Sequence, residues 1–403
     1  MERESLVVVG AGMAATRFVE ELTALAPDRY AVRVVGEESY LAYNRVLLSS
    51  ALAGEVPVAD IELKPARWWR AAGVDVLSGR KALRVDSCEH SVLLEGGARI
   101  SYSKLVLATG SRAVRLGVSG ADLPGVHTFR SIEDAEALAE IGAARKSVLV
   151  IGGGLLGLEA AYGLVRRGAS VTLAHVMDRL MERQLDAVGA EMLLGSVEAK
   201  GIRVLLGASA SAIGGDERVQ WVEFADGARV ETDAVVFAVG VRPNVDLAAG
   251  PGLSVGRGVI VDDSLSTSDK SIFAIGECAE HRGVCYGLVE PAYEQARILA
   301  RRLAGHCDAY EGSVVSTNLK VSGVRVFSAG DFLGEGANPI ICKDPRMGVY
   351  RKLVLEDDRL KGAILIGDTT GALDYLQLIR SGESLADIRD ELMFGASALR
   401  KAA

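Results

Sequence analysis

Two glycine clusters in this sequence have the spacing needed to hold a phosphate. The first is Gly10, Gly12 and Ala15; the second is Gly152, Gly154 and Gly157. Both fit G-x-G-x-x-G/A. A dinucleotide pyrophosphate is a dianion, so its receptor needs backbone N–H donors, the positive end of a helix and no intervening side chains. The first glycine makes the tight turn, the second lets backbone approach phosphate, and the third lets the helix pack on the strand. One such turn is a weak signal until a strand precedes it and a helix follows it.

Both turns have that context. Leu6-Val7-Val8-Val9 reads as a buried parallel strand. Phe18, Val19, Leu22 and Leu25 then recur at helical spacing, with Met13 and Ala14 in the first turn, and a second strand covers 32–35. In the later copy a strand covers 147–151. Leu155, Leu158, Ala161, Leu164 and Val165 carry a helix face that Leu155 and Leu156 open, and the next strand is 171–174. The interval from Gly10 to Gly152 is that of a whole domain, so this is a domain-scale repeat and not a solenoid. Each copy closes on an apolar strand, one ending in Thr109-Gly110 and the other in Gly240; a third such strand ends in Gly276-Glu277.

After about residue 310 strand-like stretches at 324–328, 350–355 and 360–366 alternate with turns, as in a small α+β domain. The expected fold class is α/β: two Rossmann-like three-layer dinucleotide-binding domains plus that C-terminal α+β domain. The expected boundaries are 1–115 with 242–309 for the first dinucleotide, 116–241 for the second, and 310–403 for the last.

An acid about 20 residues beyond the turn should hold the ribose hydroxyls. Glu37 stands at that interval beyond Ala15, with Glu38 as the alternative. In the second copy the corresponding position beyond Gly157 reads as His175. A carboxylate there would favour NADH and repel the 2′-phosphate of NADPH, whereas a histidine does neither decisively. Arg179 and Arg183 either meet a phosphate or are solvated charges. NADH and NADPH both stay open.

Composition narrows the partners. The chain has 403 residues, room for about two or three domains. A net charge of −8 argues against sequence-independent nucleic-acid binding, which needs a basic footprint. No apolar run reaches the roughly 20 residues that span a bilayer. No signal-peptide pattern precedes the first strand, so the cytoplasm is the expected compartment. The five cysteines, Cys88, Cys278, Cys285, Cys307 and Cys342, form no C-x-x-C pair, and no iron–sulfur or zinc pattern is present. No metal is expected.

This layout resembles the pyridine nucleotide–disulfide oxidoreductase superfamily, the glutathione-reductase-like flavoproteins. The runs Tyr43-Asn44-Arg45-Val46-Leu47-Leu48-Ser49-Ser50 and Gly152-Gly153-Gly154-Leu155-Leu156-Gly157-Leu158-Glu159-Ala160 narrow the match. They are similar to the FAD/NAD part of the NAD(P)H nitrite reductase large subunit and to the FAD electron-transfer subunit of assimilatory nitrate reductase. Met181-Glu182-Arg183-Gln184-Leu185-Asp186 and Gly367-Asp368-Thr369 fit the same group.

The resemblance implies roles. FAD would be held by Gly10, Gly12, Met13, Ala14, Glu37 or Glu38, Arg45, Ser50, Thr109, Gly110, Gly276, Glu277, Val289 and Glu290, the last two opening a helix aimed at the flavin pyrimidine edge. NAD(P)H would be held by Gly152, Gly154, Leu155, Leu156, Gly157, His175, Gly240 and Arg242. Glu159 is either a glutamate near the nicotinamide, and so the catalytic candidate, or a plain helix acid.

Disulfide reductases of the superfamily carry a redox cysteine pair on the first domain, and residues 36–60 here contain no cysteine. Hydride should therefore pass from nicotinamide to flavin and electrons onward to a partner protein. The expected partner is the nitrate or nitrite reductase catalytic subunit. The alternatives are a rubredoxin or ferredoxin reductase, or a flavoprotein that binds NAD(P)H to signal. The C-terminal region implies a homodimer or partner interface. Lys320 and the stretch 343–351 either attract an acidic partner or form a solvated face. His127, His281 and His306 read as surface or turn residues.

Overall fold

The computed structural model describes residues 3–321 and 324–394. It separates into two compact units. One comprises Met1–Leu48, Val56–Arg112 and Val241–Ser313; the other comprises Ser49–Glu55, Ala113–Gly240 and Val314–Ala403. The second unit includes residues of both the expected middle domain and the expected C-terminal one.

The first unit is built on a five-stranded parallel sheet. Its order is Ile272–Ala274, Lys104–Leu107, Glu4–Val9, Tyr30–Val35, Asp75–Leu77. Leu6, Val7, Val8, Leu105 and Val106 are fully buried, because a parallel sheet covered on both faces needs apolar residues on both. The helices Met13–Leu25 and Val289–Leu303 pack against each other. Phe18, Val19 and Leu22 are buried as expected, while Leu25 is 41% exposed at the helix end. Strands Ala82–Asp86, Ser91–Leu94 and Arg99–Ser101 add an antiparallel meander.

The second unit repeats this plan. Its parallel sheet runs Val126–Thr128, Ala234–Phe237, Ser147–Ile151, Ser170–Ala174, Arg203–Leu205. A matching meander is formed by Ala210–Gly214, Trp221–Phe224 and Arg229–Glu231. The duplication thus extends beyond the glycine turns to strand order.

The same unit carries a second sheet, antiparallel, in the order Ser316–Val321, Val324–Gly330, Arg359–Ile366, Val349–Glu356, Ile340–Asp344. Helix Ala372–Ser381 covers it through Tyr375, Leu376 and Leu378. Asp186 ties this sheet to helix Ala187–Glu198. Its carboxylate accepts from the Gly189 N–H at 3.0 Å as an N-cap and from the Tyr350 hydroxyl at 2.7 Å, and Lys352 Nζ lies 3.3 Å away. Among the described residues no helix is long and apolar enough to cross a membrane.

Candidate functional site: two dinucleotide cradles

In the first unit the strand Glu4–Val9 ends at Gly10, whose N–H donates to the Val35 carbonyl at 2.8 Å. Gly10 has φ +108°, and a Cβ there would lie 2.1 Å from the Ala108 oxygen. Only glycine fits that left-handed turn. Gly12 is the N-cap of helix Met13–Leu25, with no side chain capping it, and a Cβ on it would meet no atom within 4 Å. The uncapped N–H groups of the first turn, Met13 and Ala14 among them, therefore face open space. That open, donor-rich cradle fits a pyrophosphate.

Around the cradle the sequence-expected residues divide. Gly276 stands at φ +78°, with the Ala14 Cβ 3.0 Å from where its own would be, and its N–H donates to Gln295 Oε1 at 2.7 Å. Glu277 accepts from the Ser111 hydroxyl at 2.7 Å. Thr109 and Gly110 are clasped by Asn244, which donates to the Thr109 carbonyl at 2.9 Å and receives its hydroxyl through the main-chain carbonyl at 2.9 Å. Asn244, Ser111 and Gln295 were missed by sequence reasoning, since each acts through a partner far away along the chain. Val289 and Glu290 open their helix with no side-chain cap.

Glu37 is exposed and pairs with Lys81 at 2.6 Å. Glu38 accepts from the Tyr43 hydroxyl at 2.7 Å and pairs with Arg45, whose guanidinium lies 4.8 Å from the Tyr43 ring centroid. Burial disfavours the Arg45 charge, yet Tyr43, Glu38 and Glu277 together raise its pKa above the usual value. Ser50 lies in the segment Ser49–Glu55, which is grouped with the second unit.

The second unit holds the other cradle. Gly152, at φ +122°, would place a Cβ 2.3 Å from the Ala238 oxygen, and one on Gly157 would lie 1.8 Å from the Gly152 oxygen. Gly154 caps helix Leu155–Arg167 without a side-chain bond, and a Cβ there meets nothing within 4 Å. Leu155 and Leu156 form the half-buried first turn. The three glycine roles are thus reproduced in both copies.

His175 is 7% exposed at the end of strand Ser170–Ala174. Its Nδ1 accepts from the Gly153 N–H at 3.1 Å, so the ring proton sits on Nε2, which reaches Glu182 Oε2 at 3.1 Å. Glu182 was not singled out as a site residue; its signal was the family-like run 181–186 alone. Strand register also corrects the alignment of the two copies. The Gly10 and Gly152 N–H groups donate to Val35 and Ala174 respectively, so His175 corresponds to Gly36, and the counterpart of Glu37 is Val176.

Glu159 lies in the first turns of helix Leu155–Arg167. Burial pushes its carboxyl up to about 7, and a hydrogen bond from Ser49 holds it partly back. Gly240, at φ +112°, ends its strand with open space beside it. Arg242 is exposed and is grouped with the first unit. Two further expectations change. His281 is no surface residue: it is 1% exposed and bonds Asp263 at 2.8 Å. Arg351 is buried and pairs with Asp368 at 3.4 Å, so it leaves the basic stretch, while the Lys320 side chain lies outside the described residues. All five cysteines are free thiols. Among the described residues no cluster of three histidine, cysteine or acidic side chains could hold a metal.

Two dinucleotide cradles, each at the carboxyl end of its own parallel sheet, define an oxidoreductase of the double-dinucleotide class. The chain belongs to the pyridine nucleotide-disulphide oxidoreductase family, whose model matches residues 4–298, and FAD and NAD(P)H are the cofactors that this family binds. Residues 316–383 match the rubredoxin NAD+ reductase C-terminal domain. A nitrite reductase [NAD(P)H] of Bacillus subtilis is 42% identical over 389 residues, covering 96% of this chain and 48% of the relative. The assimilatory nitrate reductase electron transfer subunit of the same organism is 40% identical, covering 92% and 48%. The chain therefore spans about half the length of these curated relatives. Among solved structures, the covalent putidaredoxin reductase–putidaredoxin complex superposes with a TM-score of 0.87 at 26% identity, over 95% of this chain and 94% of that one.

Proposed function

We propose that the chain takes a hydride from NAD(P)H into FAD and passes the electrons to a partner redox protein in the cytoplasm. The nitrate or nitrite reductase catalytic component of nitrogen assimilation is the partner its relatives support. The carrying observation is the duplicated glycine cradle, open at both Gly12 and Gly154, in a chain with no cysteine between residues 36 and 60. FAD, when bound, accepts a hydride and releases its electrons singly. The chain's own residues bind and orient. Gly10, Gly12, Met13 and Ala14 hold the FAD pyrophosphate on backbone N–H groups. Glu37 or Glu38, with Arg45, Thr109, Gly110, Gly276 and Glu277, line its length. The uncapped helix start at Val289 and Glu290 offers positive potential to the electron-rich end of the flavin. Gly152, Gly154, Leu155, Leu156 and Gly157 hold the nicotinamide nucleotide, and Glu159 keeps a proton available near neutral pH beside it.

A second reading, a rubredoxin or ferredoxin reductase, is favoured by the C-terminal domain match and by the putidaredoxin reductase likeness. It differs only in the acceptor. Anaerobic mixing of the purified flavoprotein with NADH, and separately with NADPH, tests the common core. Rapid bleaching of the flavin absorbance by either is expected; a bound flavin bleached by neither overturns the proposal.

A further inference from the structure

We propose that Glu182, held by His175, is the acid that reads the adenosine ribose of the nicotinamide nucleotide and excludes a 2′-phosphate. This rests on the second cradle binding that nucleotide. The position equivalent to Glu37 is Val176, 59% exposed and without an acceptor. An acid that accepts the ribose hydroxyls would have to come from elsewhere in the chain. Glu182 arrives from the loop beyond the strand, and three features hold it in place. The Gly153 N–H fixes His175 through Nδ1, leaving Nε2 to meet the Glu182 carboxylate at 3.1 Å. The Gly153 carbonyl accepts from the Met181 N–H at 3.1 Å, so one glycine of the cradle anchors both the imidazole and the loop. Met181 itself is fully buried at φ +51°, a left-handed conformation that a bulky residue keeps only when its surroundings impose it.

The charges near the strand end favour the same reading. Glu182 is 21% exposed, so its field is weakly screened. Arg183 approaches the same carboxylate only at 3.8 Å and is 86% exposed, and Arg179 is paired with Asp178 at 3.1 Å. The uncharged imidazole adds no counter-charge, because its Nδ1 is an acceptor. A 2′-phosphate placed beside this strand end would face a carboxylate, whereas free ribose hydroxyls would find an acceptor.

Calorimetric titration of the purified flavoprotein with ADP-ribose and with 2′-phospho-ADP-ribose tests the assignment. Neither ligand carries nicotinamide, so binding is read without turnover. Wild-type protein should bind ADP-ribose the more tightly. Glu182→Gln should shrink that preference by about tenfold, the loss of one partly screened repulsion, and Glu182→Asp should keep it. Tighter binding of the 2′-phosphorylated ligand by wild type, or an unchanged ratio in Glu182→Gln, overturns the role of Glu182. Arg183→Ala, on an exposed side chain, should leave ADP-ribose preferred; a preference that grows more than tenfold would assign discrimination to the arginine instead and overturn the proposal. Failure of wild type to bind either ligand would remove the nucleotide reading of the cradle itself.

Discussion

The imidazole of His175 lies against Gly153 where no methyl group could stand: a Cβ on Gly153 would be 2.7 Å from His175 Cγ. In the first copy the bulk is exchanged. Gly36 occupies the strand-end position and Ala11 the turn, and a Cβ on Gly36 would lie 2.7 Å from the Ala11 Cβ. One side chain fits at this junction in each copy. The middle glycine of Gly152-Gly153-Gly154 is therefore explained by His175 at the end of the neighbouring strand together with Leu180, whose Cδ2 would also lie 2.7 Å from such a Cβ.

Gly153→Ala should displace His175 and with it the Glu182 carboxylate. FAD content should stay at the wild-type level, because that cradle is built from other residues. ADP-ribose affinity should fall by about tenfold, the scale of one lost charge-assisted hydrogen bond. Adding His175→Gly should lower the affinity little further, since both substitutions remove the same support of Glu182 and are not additive. Calorimetric titration of the single and double variants measures this.

Two glycines of the first cradle should fail in different ways. Gly10→Ala brings a Cβ to 2.1 Å from the Ala108 oxygen at φ +108°, so it should destabilise the fold by about 3 kcal/mol. Gly12→Asp meets no atom and keeps an ordinary φ of −90°, so the protein should fold normally yet purify without flavin, because a carboxylate would face the pyrophosphate. Denaturant unfolding and the visible flavin spectrum separate the two outcomes. A yellow Gly12→Asp protein would contradict the cradle assignment.

Asp186→Ala should cost roughly 3 kcal/mol. About 1 comes from the lost N-cap of Gly189, and the rest from leaving the buried Tyr350 hydroxyl and the Lys352 ammonium without their acceptor. Burial first, and Asp186 beside it, hold the Tyr350 phenol above its usual pKa, so that hydroxyl remains a donor at any working pH. Asp186→Asn keeps a capping oxygen and should cost about 1 kcal/mol. Urea midpoints at constant m-value compare the two.

What the sequence made legible follows burial. Strands covered on both faces, such as Glu4–Val9, Lys104–Leu107 and Ser147–Ile151, are continuous apolar runs and were found with their turns. Ser316–Val321 and Ile340–Asp344 were not found, and they are the two edges of the C-terminal sheet. Edge strands mix polar and charged residues, which erases the periodic signal. Glu182 was hidden for another reason. Its role depends on a loop returning to Gly153 through a left-handed Met181, a path no local propensity announces. The grouping of Ser49–Glu55 with the second unit, where Ser49 meets Glu159, is equally nonlocal.

That Ser49 contact sets the last expectation. The Glu159 carboxyl is raised from 4.5 to about 7 by burial, the Ser49 hydrogen bond acting against the shift. Between those values the folded protein retains a proton that the unfolded chain has released, so this group's contribution to stability falls as pH rises. Glu159→Gln removes the titration. The variant should match wild type near pH 4.5 and exceed it at pH 8, by about 3 kcal/mol at most for a rise from 4.5 to about 7. Ser49→Ala should act in the opposite sense above pH 7, because it removes the one bond that favours the ionised form. If the carboxyl also serves the nicotinamide, the wild-type rate of flavin reduction by NADH should show an inflection near 7 that Glu159→Gln lacks. Stopped-flow bleaching across neutral pH reads it. A stability difference without that inflection would leave Glu159 as a buried helix acid and nothing more.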